Sequence, residues 1–157
     1  MKRELLFLSC IVALFLISST ASAQQVVLDF DDLTGFAPMP AGYGGIADWG
    51  HWAHSDTPDP NYPPASGATY LVEVGSKQPI LFGAEYIFDG ASFAGQQLPF
   101  EKVWFELYYQ GSLVHTSDQI TATLPNHTWL DSGYGGVVDE VHVMYNSVNI
   151  FCMDDFT

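Results

Sequence analysis

Residues 102–109 read K-V-W-F-E-L-Y-Y, and this run decides the fold class. Val103, Phe105 and Leu107 fall on one side of an extended chain and Lys102, Trp104, Glu106 and Tyr108 on the other. That is the two-residue period of a half-buried strand. Gln110-Gly111-Ser112 then supplies a turn, and Leu113–Ser117 leads the chain back, which makes a hairpin. A second alternating run, V-D-E-V-H-V-M-Y at 138–145, follows the turn D-S-G-Y-G-G at 131–136.

Outward from these runs, short strand signals recur. They fall at 24–33, 69–74, 79–82, 84–88, 119–124, 128–130 and 148–153, and 92–94 is ambiguous. Turn residues punctuate them, and no stretch beyond residue 23 sustains helical spacing. Many short strands with turn signals every eight to twelve residues predict one all-β domain over 24–157, an antiparallel β-sandwich or barrel. Residues 34–50 read as loop. Residues 55–67, with Pro58, Pro60, Pro63 and Pro64, cannot remain regular for long. Long loops in compact domains tend to carry function.

Residues 1–23 have a basic start (Lys2, Arg3), an apolar centre and the small-residue ending Ala21-Ser22-Ala23. This predicts a secretory signal peptide with cleavage before Gln24. The destination is extracellular or cell-surface, with the periplasm as the alternative. Beyond it, Lys77 and Lys102 face seventeen acidic residues, a net charge of −15. Such a surface repels nucleic acid and anionic lipid. No later apolar run suggests a membrane span. Cys152 is the single cysteine beyond residue 23, and is expected to be a small hydrophobe of the last strand.

Two acidic motifs stand at the ends of this region. Val26–Leu33 reads V-V-L-D-F-D-D-L, and Phe151–Thr157 reads F-C-M-D-D-F-T. In a strand, one aspartate of each pair faces the core, where a carboxylate must be neutralised, hydrogen-bonded or bound to a cation. The two ends are expected to lie side by side. Ca2+, which takes six to eight hard oxygens, is one expectation, with Asp31, Asp32, Asp154 and Asp155 as ligands and Asp29, Asp89, Asp139 and Glu140 as further candidates. Aspartates that accept backbone N–H groups are the alternative. The EF-hand pattern fails after Asp31 for want of its glycine.

The candidate ligand site is the aromatic and histidine cluster Tyr43, Trp49, His51, Trp52 and His54, with Tyr62 nearby. Rings pack on the C–H faces of sugars while polar neighbours take the hydroxyls. Burial of Trp49 and Trp52 as core anchors is the alternative. Trp129 and Tyr134 form a second, weaker aromatic group. His51, His54, His115, His127 and His142 have no metal-ligand spacing. No nucleophile elbow or phosphate loop occurs, so no enzymatic activity is expected. Asn126-His127-Thr128 is a glycosylation sequon, relevant only in a eukaryotic secretory pathway.

The segments F-D-D-L, G-Y-G-G-I-A-D-W, Y-I-F-D-G-A-S-F-A, V-W-F-E-L-Y-Y-Q-G-S-L-V-H-T and the closing V-D-E-V-H-V-M-Y-N-S-V-N-I-F-C-M-D-D-F-T together resemble a secreted β-sandwich domain of bacterial PEP-CTERM-type proteins. These are similar to galactose-binding-like jelly rolls. The resemblance implies about eight strands, adjacent first and last strands, and a Ca2+ near them, at Asp31, Asp32, Asp154 and Asp155. The sorting segment with its Pro-Glu-Pro signal does not occur in this sequence. The function expected is a secreted, non-catalytic domain that binds an extracellular carbohydrate or polymer, with a structural Ca2+. A self-associating subunit of an extracellular matrix, surface layer or filament is the alternative.

Overall fold

A computed structural model describes residues 24–95, 102–146 and 151–157. The signal-peptide expectation lies outside the described residues. The strands are β1 (Ala37–Pro38), β2 (Ile46–Asp48), β3 (Trp52–Ser55), β4 (Tyr70–Glu73), β5 (Ile80–Tyr86) and β6 (Gly90–Gly95). They continue with β7 (Lys102–Tyr109), β8 (Ser112–Thr116), β9 (Ile120–Thr121), β10 (Thr128–Asp131), β11 (Val138–Tyr145) and β12 (Phe151–Asp154). The first sheet runs β1-β3-β4-β12-β6-β10 and the second β2-β5-β11-β7-β8, with β9 also on β7. All pairings are antiparallel. The expected all-β sandwich is therefore the architecture.

The alternation of β7 and β11 builds the interior. Val103, Phe105 and Leu107 join Val138, Val141 and Val143 in one apolar cluster with Leu71, Phe93, Phe151 and Met153 of the first sheet. Aromatic edges lock the two layers, Phe105 meeting Phe88 at 4.9 Å and Phe93 at 5.7 Å between ring centres. Edge-to-face pairs of this kind add about 1 kcal/mol beyond their area.

Sequence and structure differ most at the ends. The run at 24–33 forms one bridge, Leu28 to Phe156, with hydrogen bonds of 2.8 and 3.1 Å. The two ends do lie side by side. Phe30 then takes a left-handed conformation (φ 61°), and Leu33 N–H bonds its carbonyl at 2.9 Å. Asp31 and Asp32 thus stand in a turn, and both are exposed, so strand alternation does not govern them. Asp154 is fully buried, but on the Cys152 side of β12 beneath the loop and not on the core side of Phe151 and Met153, and Asp155 is partly exposed. Residues 79–88, read as two strands, give the single β5, and ambiguous 92–94 lies within β6.

Candidate functional site

Trp49, Trp52 and His54 are buried, which corrects the expectation of an exposed aromatic ligand site. Trp49 and Trp52 are each 2 % exposed. The Trp49 ring stands edge-on to Phe30 at 5.6 Å and Phe156 at 5.2 Å. Its Nε1–H donates to the Tyr43 carbonyl at 3.2 Å, pinning the glycine-rich segment beneath it. Trp52 lies against Phe151. For Trp52 and His54 the cause is position: β3 is inserted between β1 and β4 and all four of its residues are buried. Of the expected set, His51 is exposed and Tyr43 partly so. His51 Nδ1 accepts the Ser76 N–H, and the Tyr43 hydroxyl donates to Asp32 Oδ1 at 2.5 Å. Burial, and then the Asp32 carboxylate, hold the Tyr43 phenol well above its ordinary pKa.

The four seam aspartates bind the chain itself. Asp31 Oδ1 accepts the N–H groups of Ala68 (2.7 Å) and Thr69 (3.1 Å). Asp154 Oδ2 accepts those of Ala65 (2.7 Å) and Ser66 (3.1 Å), and its Oδ1 that of Asp155 (2.7 Å). Asp155 Oδ1 accepts the Ser66 hydroxyl at 2.8 Å. Burial pushes the Asp154 carboxyl up to about 7, against those N–H donors, which pull it down. A hard cation needs oxygens converging on one point. Here each carboxylate turns an oxygen to an N–H or O–H donor, and no three acidic, histidine or cysteine groups converge among the described residues. As placed, the four carboxylates serve the loop backbone and the Tyr43 and Ser66 hydroxyls.

These contacts strap the proline-rich loop, residues 55–67, over the outer face of the first sheet. Tyr62 stacks on Tyr70 at 6.2 Å, packing against Tyr70, Ala94 and Cys152. The Pro63 carbonyl accepts from His127 Nε2 at 2.5 Å and from the Cys152 thiol at 3.3 Å. Burial pushes that thiol up to about 12, so it stays a neutral, inert side chain.

The outer face of the second sheet is built differently. The outward half of β7 and β11 forms three facing pairs: Trp104 with Met144, Glu106 with His142, and Tyr108 with Glu140. All six are partly exposed. The His142 ring lies tilted against Tyr108 at 4.7 Å and its Nε2 contacts Glu140 Oε1, the two side chains 23 % and 25 % exposed. The Tyr108 hydroxyl donates to Glu106 Oε2 at 3.2 Å. Partial desolvation, and then Glu106, raise the Tyr108 pKa. From the sequence, Glu140 was a further Ca2+ candidate and His142 one of five histidines without metal spacing, and the other four positions read only as strand. The signal was present: after Lys102, the outward positions of the alternation carry Trp, Glu, Tyr, His and Met rather than the Ser and Thr of a merely solvated face.

No protein-family model, no curated protein and no solved structure matches the chain. Its function is therefore argued from this geometry.

Proposed function

We propose that the protein is a secreted, non-catalytic binding module of the jelly-roll kind, and that it takes an extracellular carbohydrate or polymer on the open face of the second sheet. One observation carries the reading: Trp104, Tyr108 and His142 present rings beside Glu106 and Glu140 on two strands in fixed register. Rings pack on sugar C–H faces and carboxylates accept sugar hydroxyls. Trp104 and Tyr108 are four residues apart, about 13 Å along an extended strand, a platform for a short oligosaccharide. The strand ladder holds it rigid, so little ordering is needed on binding. The outer face of the first sheet is covered by its own loop. The carboxylates on the open face stay in contact with water, which favours recognition over acid–base chemistry, for which enzymes desolvate their groups.

The test is a glycan array followed by isothermal titration of the best polysaccharide with the parent protein, Trp104→Ala and Tyr108→Ala. Each variant is expected to weaken binding at least tenfold, about 1.4 kcal/mol, with unchanged thermal unfolding. Full binding by both variants, or no glycan bound by the parent, overturns the reading.

A further inference from the structure

The second sheet has a free edge. β2 pairs with β5 only at Leu81 and Phe82. The residues that would extend β2 along β5 are Gly44 and Gly45, whose φ angles of 63° and 85° turn the chain away in a single 3-10 turn. Gly83, Ala84, Glu85 and Tyr86 are exposed, and among the described residues the β2 pairing with β5 does not extend to them. Beside this edge opens a groove of about 670 Å3, walled by Val26, Ile46, Phe82, Tyr86, Ile87 and Val137. Val26, Tyr86, Ile87 and Val137 are among the large apolar side chains that the molecule leaves in water. An uncovered edge with an apolar groove alongside is a template for an added strand: its backbone supplies hydrogen bonds and the groove takes alternate side chains.

The charge of the site selects the occupant. Glu85 and Asp89 are the charged groups on the groove. Each accepts from a neutral donor, Glu85 Oε1 from the Tyr109 hydroxyl at 2.6 Å and Asp89 Oδ2 from Gln25 Nε2 at 3.0 Å. Neither meets a cation in those bonds. A second copy of this chain would bring Glu85 towards Glu85 and −15 towards −15, which repels. A basic strand is attracted. Phe82 and Tyr86 meet edge to face at 5.4 Å in the groove wall, while Glu85, which also lines the groove, turns its Oε1 to the Tyr109 hydroxyl. A complementary segment carries apolar residues for the groove wall and basic residues for Glu85 and Asp89, and in an added strand the two kinds alternate.

We infer that Gly83–Tyr86 and the adjoining groove bind an extended segment of alternating apolar and basic residues from a partner protein, by strand addition to β5. This surface is separate from the Trp104–Tyr108 face, and the two readings fail independently. The test uses the folded protein covering residues 24–157 and three labelled synthetic peptides, read by fluorescence anisotropy. One peptide alternates Lys and Val, one alternates Glu and Val, and one keeps the Lys residues but replaces each Val by Pro. Binding of the Lys-Val peptide is expected, at least tenfold tighter than either control, with a tenfold loss in Glu85→Lys and in Ile87→Glu. Thermal unfolding of both variants should match the parent, because both sites are exposed. Equal binding of the proline peptide overturns the inference, since charge alone would then suffice. So does absence of binding, or full binding by Glu85→Lys. Light scattering that shows a dimer excluding the peptide overturns it in favour of a second copy.

Discussion

Asp31 and Asp154, from opposite ends of the described chain, hold the same loop. Asp31 Oδ1 takes the N–H groups of Ala68 and Thr69, and Asp154 Oδ2 those of Ala65 and Ser66. Between the two pairs stands Gly67, with φ at 49°. The acidic motifs at 29–32 and 154–155 act here as acceptors for the backbone N–H groups of one loop. A hydrogen bond of this sort contributes about 1 kcal/mol, and losing it leaves the N–H without that acceptor.

The clamp leaves no room at Gly67. A Cβ built there would lie 1.5 Å from Asp31 Oδ2, in a backbone conformation that side chains disfavour. Gly67→Ala is expected to destabilise by more than about 2 kcal/mol in chemical denaturation, and to open residues 55–67 to proteolysis. Asp31→Ala removes the obstructing carboxylate, so the double variant should cost less than the sum of the singles. Simple additivity would show that the two positions do not meet.

Asp154 gives the fold a defined pH dependence. Its folded pKa, about 7, lies above its ordinary 3.8. Between these values the unfolded chain is ionised while the folded carboxyl keeps its proton. Stability contributed by this group is fully present below about 3.8 and lost as pH rises through about 7. The slope approaches 1.4 kcal/mol per pH unit, with about 4 kcal/mol over the window as an upper bound. Asp155 adds to the upward shift. Denaturation midpoints measured from pH 4 to pH 8 should fall with pH. Asp154→Asn should flatten the profile while lowering stability at pH 5, since an amide nitrogen cannot accept the lost N–H bonds. A parent profile that rises from pH 4 to pH 8 would contradict the assignment.

The strands at 102–109 and 138–145 were legible in the sequence to the residue, because side chains with opposite preferences alternate and a one-residue slip would invert both faces. β6, G-A-S-F-A-G, was ambiguous because Gly, Ala and Ser carry little strand preference. Only its place between β12 and β10 makes it a strand. The adjacency of the ends was legible from the repeated Asp-Asp motif, but the function of those aspartates was not. It depends on the loop backbone at 65–69, which no spacing rule brings to them. The aromatic cluster around Trp49 drew attention by density along the chain, whereas a binding face is dense in space. Trp104, Tyr108 and His142 come from two strands far apart in sequence and become neighbours through register alone.

The Ca2+ expectation has a direct test in solution. The seam oxygens are engaged by N–H and O–H donors, and Asp154 holds a proton up to about pH 7. A ligand that binds only the folded state raises its melting temperature. Excess Ca2+ and excess chelator at pH 6 are therefore expected to leave the midpoint within about 1 °C of each other. A shift of several degrees would show that the carboxylates rearrange around a cation.

The tryptophans separate architecture from recognition. Trp52 is sealed among the core side chains, and Trp52→Ala leaves a cavity that neighbouring strands cannot close. A loss of about 3–5 kcal/mol is expected in chemical denaturation. Trp104 lies on the outer face of β7, opposite Met144. Its removal uncovers no interior, so Trp104→Ala should cost less than about 1.5 kcal/mol while weakening glycan binding at least tenfold. Trp52→Ala protein that remains folded at low temperature should still bind, because its ring does not reach the ligand. If Trp52→Ala abolished binding while folded and Trp104→Ala left it intact, the recognition surface would lie on the first sheet, beneath the proline-rich loop. That loop would then have to open for ligand, and the Asp31 and Asp154 clamps would be its latches.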